Sequence, residues 1–193
     1  MSDMQIIRAL ADLVPHGSRV LDLGCGDGAM LDYLQRERGC TGYGVELDDA
    51  NVLACVQRGV NVLQLNLNDG LSIFEDGSFD VVLQIDTIQH LRNAEQVLLE
   101  TVRVGRLGII AFPNFAHWPN RLSVLHGRMP VTRRLPYQWY DTPNIRVGTH
   151  ADLAELAQKN GLRIHDSFGL QQGGVVRWLP NWRAGTSVHV LSR

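Results

Sequence analysis

Three glycines at alternate positions, Gly24, Gly26 and Gly28, follow the apolar run Val20-Leu21-Asp22-Leu23 and lead into a helical pattern. Glycine has no Cβ, so such a loop turns tightly and lets a ligand lie against exposed N–H groups at the start of the next helix. Two acids flank the loop: Asp22, just before the first glycine, and Glu46, about 20 residues further on at the end of the next strand-like run. A carboxylate at that second place can accept both ribose hydroxyls, so the combination predicts a site for an adenosine-containing ligand.

Nicotinamide enzymes share the glycine turn and the ribose carboxylate, so those features alone leave the ligand open. The spacing G-x-G-x-G with Asp22 ahead of it tilts the choice. A helix N-terminus favours a pyrophosphate, whereas a carboxylate beside the loop suits a ligand carrying an ammonium group. S-adenosylmethionine has that group and no phosphate.

Other residues have chemistry to weigh. His90 could act as a general base, although a polar residue capping a strand end is the commoner role. Asp86 could pair with it, and with no second clustered carboxylate no metal site is expected. Cys25, inside the glycine loop, reads as a small side chain tucked beneath it rather than a nucleophile. The chain's formal charge of −2 argues against nucleic acid and anionic lipid, so Arg121, Arg128, Arg133, Arg134 and Arg146 read as a protein-facing rim or solvated loop. Trp118, Trp139 and Tyr140 could anchor a partner, pack internally or close over a substrate.

The elements that must position these residues alternate. Ile6, Ile7, Leu10 and Leu13 predict a short amphipathic helix ending near Pro15-His16-Gly17. Strands are expected at 19–23, 41–47, 61–65, 79–83 and 107–112, with helices after the first, second and fourth. Asp48 reads as an N-cap, Gly39 and Gly59 as helix stops, and Thr149-His150-Ala151-Asp152 as a capping box before a helix closed by Asn160-Gly161. Two more strands follow at 162–168 and 186–191. Strands alternating with helices imply parallel pairing through right-handed crossovers, hence a doubly wound α/β sheet covered on both faces.

The expected organisation is one domain over residues 1–193 with an insertion at 113–148, which holds five of the seven prolines, five arginines and a short helix at Trp118, Leu122 and Leu125. Long ordered loops of this kind are usually functional. Residues 1–10 show no secretory leader and no stretch approaches a membrane span, so a cytoplasmic protein is expected. Cys25, Cys40 and Cys55 form no CxxC pattern and read as reduced thiols.

VLDLGCGDG at 20–28, YGVELD at 43–48, LNLN at 65–68 and FDVVLQ at 79–84 resemble the successive cofactor motifs of class I S-adenosylmethionine-dependent methyltransferases. That resemblance implies a Rossmann-like seven-stranded sheet with the last strand antiparallel. It gives Asp22, Gly24 and Gly26 to the methionine moiety, with Cys25 in the same loop, and Glu46 to the ribose, with Leu47 beside it. It puts Asn66 and Leu67 along the adenine and Gln84 near the cofactor's reactive end. Asn66 stands where that superfamily often has an acid, which implies weakened binding of S-adenosylmethionine or S-adenosylhomocysteine. No Asn/Asp-Pro-Pro-Tyr motif follows the fourth strand; Gln84-Ile85-Asp86-Thr87 stands there, so no catalytic residue is assigned.

The second half narrows the resemblance. The stretches 112–118, 127–131 and 135–145 are similar to the MetW family of methionine-biosynthesis proteins, over about residues 5 to 168. The resemblance implies a methyltransferase-like accessory subunit that partners and activates a homoserine O-acyltransferase, with S-adenosylmethionine as a regulatory ligand. A genuine small-molecule methyltransferase, or a scaffold that binds no ligand, are the alternatives. The tail from Gly169 to Gly185, with Trp178 and Trp182, matches no motif.

Overall fold

The computed structural model describes residues 3–193. The reading of residues 1–10 as free of a leader begins on Met1 and Ser2, which lie outside the described residues. Helix α1 (Asp3–Ala11) precedes β1 (Arg19–Leu23), α2 (Ala29–Arg38), β2 (Thr41–Glu46), α3 (Asp49–Arg58), β3 (Val62–Gln64) and β4 (Phe79–Ile85). Then come α4 (Ala94–Val104), β5 (Gly105–Pro113), α5 (Trp118–Leu125), α6 (His150–Lys159), β6 (Arg163–Gln171), β7 (Gly174–Val176), α7 (Pro180–Arg183) and β8 (Thr186–Ser192).

The helix boundaries follow local chemistry. The Asp48 side chain accepts from the Asn51 N–H at the start of α3, satisfying a donor that the helix cannot. Thr149 and Asp152 cap each other's backbone at the start of α6, the reciprocal box expected from the sequence. Left-handed glycines end α2 and α3 at Gly39 and Gly59.

The strands form one sheet in the order β3-β2-β1-β4-β5-β8-β6-β7. β3, β2, β1, β4 and β5 pair in parallel, while β8 runs antiparallel to both β5 and β6. The sheet has eight strands rather than the seven expected, because β6 runs on to Gln171 and folds back as β7. Gln172 and Gly173, at φ of 50° and 83°, form the two-residue turn between them. Both central residues lie at positive φ, the geometry that matches strand twist in a tight hairpin.

Apolar clusters fill both faces. Leu10, Val14, Leu31 and Leu34 pack over Leu83 and Ile109 on one side, and Leu98, Val102, Leu153 and Ala157 cover Ile110 and Leu191 on the other. Among the described residues no helix is long and apolar enough to cross a membrane.

Under the β6–β8 half, two histidines and two serines close a ring of hydrogen bonds. Ser187 Oγ meets His150 Nδ1 at 2.8 Å and His189 Nε2 at 2.9 Å, while Ser167 Oγ meets His150 Nε2 at 3.0 Å and His189 Nδ1 at 3.1 Å. Two hydroxyls and two neutral imidazoles supply one donor for each of these bonds, and a proton on either ring breaks the match. Burial, with His150 alongside, pushes His189 down to about 3, and burial lowers His150 as well.

A histidine held below its unfolded value of about 6.5 leaves stability intact above that pH and removes it as pH falls toward the folded value. Between pH 7.5 and 5 we expect His189 to account for a loss of about 2 kcal/mol. Urea unfolding checks this: His189→Gln should start less stable at pH 7.5 and lose about 2 kcal/mol less than the wild type on acidification. Equal losses would show that His189 takes up its proton as readily in the folded protein as in the unfolded chain.

Candidate functional site

The sheet order reverses between β1 and β4, and in open α/β sheets ligands bind at the carboxyl ends of strands at such a switch. A cavity of about 700 Å³ opens there. Gly24 from the loop after β1, Glu46 and Leu47 from the end of β2, Asn66 and Leu67 after β3, and Asp86, Thr87 and His90 after β4 line it.

The loop geometry is dictated from below. Gly24 sits at φ 72°, and a Cβ there would lie 2.6 Å from Thr87 Oγ1. Thr87 cannot withdraw readily, since its hydroxyl donates to the carbonyls of Leu23 at 2.7 Å and Ile85 at 3.0 Å. Glu46 reaches back across the loop: its carboxylate accepts from Gly26 N–H at 2.8 Å, Leu47 N–H at 2.8 Å and Asp48 N–H at 3.0 Å. The same carboxylate therefore ties the glycine loop to the end of β2.

Asp22 lies beneath the loop, 2% exposed, with Oδ1 lacking any hydrogen-bond partner. Burial, reinforced by the nearby Glu46 charge, raises its carboxyl to about 7. Cys25 is buried too, its thiol 3.8 Å from that of Cys55 and against Gly44; burial pushes it up, so it is a packed thiol rather than a nucleophile.

Of the nine residues expected at the site, Gly24, Glu46, Leu47, Asn66 and Leu67 line the cavity; Gly26 is tied to it through Glu46, and Asp22 and Cys25 are buried and not among its lining residues. Gln84 does not reach it. Its position on β4 points the side chain toward α4, where Nε2 donates to Thr101 Oγ1 at 2.6 Å, and the residue is wholly buried. Asn66 turns its carbonyl oxygen to Asn68, accepting from the backbone N–H at 3.0 Å and the side-chain amide at 3.1 Å.

The loop after β4 walls the site, where the sequence offered only His90 as a base and Asp86 as its pair and counted neither among the cofactor-binding residues. Asp86 adopts φ 52°, unusual for a residue with a Cβ, and its carboxylate pairs with Arg134 at 2.5 Å instead of with His90. His90 Nδ1 lies 3.1 Å from the Pro143 carbonyl, and Gln89 O accepts from the N–H groups of Ile145 and Arg146. Residues 134–146 are thus fastened to the loop that walls the cavity. Position directly after the fourth strand was the only available signal for Asp86 and Thr87.

Four carboxylates, Glu46, Asp48, Asp49 and Asp86, line the cavity, and among the described residues no lysine or arginine does. That charge repels pyrophosphate and favours a cationic ligand. The unpaired Asp22 oxygen and three backbone N–H groups gathered on Glu46 fit an adenosyl ligand bearing an ammonium group and no phosphate. Among the described residues no group of three or more His, Cys, Asp or Glu is placed to hold a metal ion.

Comparison with known proteins agrees with this architecture. The solved structure of an S-adenosylmethionine-dependent methyltransferase from Thermotoga maritima, a possible histamine N-methyltransferase, superposes with TM-score 0.71 at 19% identity, over 98% of this chain and 87% of that one. A putative methyltransferase from Haloferax volcanii, solved with the Trm112 methyltransferase activator, gives 0.72 at 18% identity, over 100% and 91%. These likenesses show the class I methyltransferase fold. In sequence, the bifunctional methionine biosynthesis protein MetXA/MetW of Rhodopirellula baltica is 39% identical over 96% of this chain. This chain spans only 32% of that relative and 36% of the next, a norajmaline N-methyltransferase from Rauvolfia serpentina. The family model described as methionine biosynthesis protein MetW matches residues 2–191, and the chain belongs to the MetW family.

Proposed function

We propose that the cavity binds S-adenosylmethionine and that the protein is an accessory subunit which activates a homoserine O-acyltransferase in the cytoplasm. The observation that carries the partnership is the Rhodopirellula baltica relative, in which a MetW-like segment shares one chain bearing the MetXA name as well. Fusion holds two partners at high effective concentration, which is useful where the separate chains must associate.

The residues divide the work. In this reading Glu46, Asn66 and Leu67, which line the cavity, serve the ribose hydroxyls and the adenine edge, and the buried Asp22, with an unpaired oxygen, serves the ammonium end. When bound, S-adenosylmethionine would supply a positive sulfonium and its methyl group. Asp86 connects this cavity to Arg134, so a ligand that favours one setting of that pair also favours one setting of residues 134–146.

The surface supports docking. Leu125, Trp139, Tyr140 and Trp178 are each at least 69% exposed, and large aromatic side chains are the residues enriched where partners anchor. Arg121 stacks over Trp182 at 5.1 Å, joining α5 to the tail that matched no motif. A small-molecule methyltransferase is the second reading, favoured by His90 on the cavity wall. Labelled methyl transfer to an acceptor, lost in His90→Gln, would support it.

Two outcomes follow. Calorimetric titration with S-adenosylhomocysteine should show tight binding above pH 7 that weakens as pH falls, approaching tenfold per unit, because Asp22 must give up its proton to meet the ammonium group. Asp22→Asn should bind weakly and lose that slope; absence of binding in the wild type would sink the reading. In co-purification with the acyltransferase, the double change Trp139→Ala and Tyr140→Ala should weaken association by about tenfold or more without lowering the melting temperature. Undiminished association would move the interface elsewhere.

A further inference from the structure

Helix α3 meets the glycine loop at one end and the cavity at the other. Arg58, its last residue, donates from Nε to the Asp27 carbonyl at 2.9 Å, and its Nη2 pairs with Asp27 Oδ2 at 2.5 Å. One turn earlier Cys55 Sγ donates to the Gly26 carbonyl at 3.1 Å. A Cβ on Gly28 would lie 3.0 Å from Cys55 Sγ and 3.3 Å from Val60, so the loop packs directly against this end of the helix. The other end of α3 starts after its cap, Asp48, and Asp48, Asp49 and Asn51 line the cavity.

These contacts reach Glu46 from two sides. The Cys25 carbonyl accepts from Gly28 N–H at 3.1 Å, which folds residues 25–28 into a tight turn. In a planar trans peptide the N–H points away from the carbonyl, so the Gly26 N–H is directed outward from that turn, and it donates to Glu46 Oε2 at 2.8 Å. Glu46 Oε1 accepts from the N–H groups of Leu47 and Asp48 at the start of α3. Each carboxylate oxygen is therefore anchored, one through the loop that the end of α3 holds and one by the beginning of the same helix.

The loop has little stiffness of its own. Gly26 and Gly28 sit at φ 57° and 78°, and glycine loses the most freedom when held in one conformation. Asp27 adds a second tie, since its Oδ1 accepts from Ala29 N–H at the start of α2 at 3.2 Å. Arg58 is not among the described residues that line the cavity, and its side chain and that of Asp27 are 36% and 52% exposed. An ion pair this open to water adds little to the stability of the fold, so its effect falls on the geometry of the loop.

We propose, on the reading of this cavity as an adenosyl site, that Arg58 is a positioning residue: by fixing residues 26–28 it aims the Gly26 N–H at Glu46 and holds the Glu46 carboxylate where it meets the ribose hydroxyls. Groups that lock a binding side chain in place set how sharply it discriminates. Without Arg58 the loop, and Glu46 with it, spends time in other settings, and affinity falls in proportion to the time lost from the binding one.

Calorimetric titration of the full chain with S-adenosylhomocysteine and with its dideoxy analogue, which lacks both ribose hydroxyls, tests this. The wild type should favour S-adenosylhomocysteine by about tenfold or more, and Glu46→Gln should erase most of that preference. Arg58→Met should bind S-adenosylhomocysteine about fivefold to tenfold more weakly, bind the analogue nearly as the wild type does, and keep its melting temperature within about 3 °C. Arg58→Lys, which puts one ammonium group where the guanidinium meets two oxygens, should fall between, and it reads the same effect if Arg58→Met fails to fold. A preference lost in Glu46→Gln but intact in the Arg58 variants, or an equal loss of affinity for both ligands in those variants, would overturn the role of Arg58 and leave the adenosyl reading standing. Absence of wild-type binding, or a preference unchanged by Glu46→Gln, would remove that reading and the role of Arg58 with it.

Discussion

Two carboxylates under and across one glycine loop set the terms for the rest of the molecule. Glu46 gathers three backbone N–H groups, and its charge falls on Asp22, which is buried with an oxygen unpaired. An unpaired carboxylate in the interior is costly when charged, so the free protein holds Asp22 near its titration point. A ligand that brings a positive group to that floor removes the cost, whereas a phosphate would add to it. In the proposed reading the loop selects ligand charge as well as making a turn. The tight fit of Gly24 over Thr87 keeps it in place.

The loop after β4 carries that constraint outward. Thr87 supports the glycine loop from below, Asp86 holds Arg134, and Gln89 and His90 hold the chain at 143–146. One short segment thus touches the cavity at the β1–β4 switch point on one side and the proline-rich stretch on the other. Arg134 carries the connection into residues 134–146, and Asn114 fixes the tail by donating to the Ala184 carbonyl at 2.8 Å. These are packed, hydrogen-bonded contacts with few alternative arrangements, the condition under which a change at one site biases another.

The parts legible in the sequence were those encoded locally. The Gly24-Gly26-Gly28 loop, the caps at Asp48 and Thr149 and the glycine stops each announce themselves within a few residues, and the alternation of strands and helices gave the parallel sheet. The Gln84 direction was hidden because β4 is covered on both faces and shows no alternation of polar and apolar residues to read. The eighth strand depends on a Gln172-Gly173 turn that lacks the usual asparagine or aspartate. Asp86 with Arg134 and the histidine–serine ring join residues far apart in sequence. No local pattern encodes such pairs; the fold brings them together.

In the proposed function, ligand occupancy of the loop over Asp22 governs a partner's acyl transfer through the 134–146 stretch. The most direct measurement is the rate of homoserine acylation by the acyltransferase with this chain added, across a series of S-adenosylmethionine concentrations. Acylation should need the chain, and S-adenosylmethionine should shift the rate with the wild type but not with Asp22→Asn. Acylation that runs equally fast without the chain would contradict it.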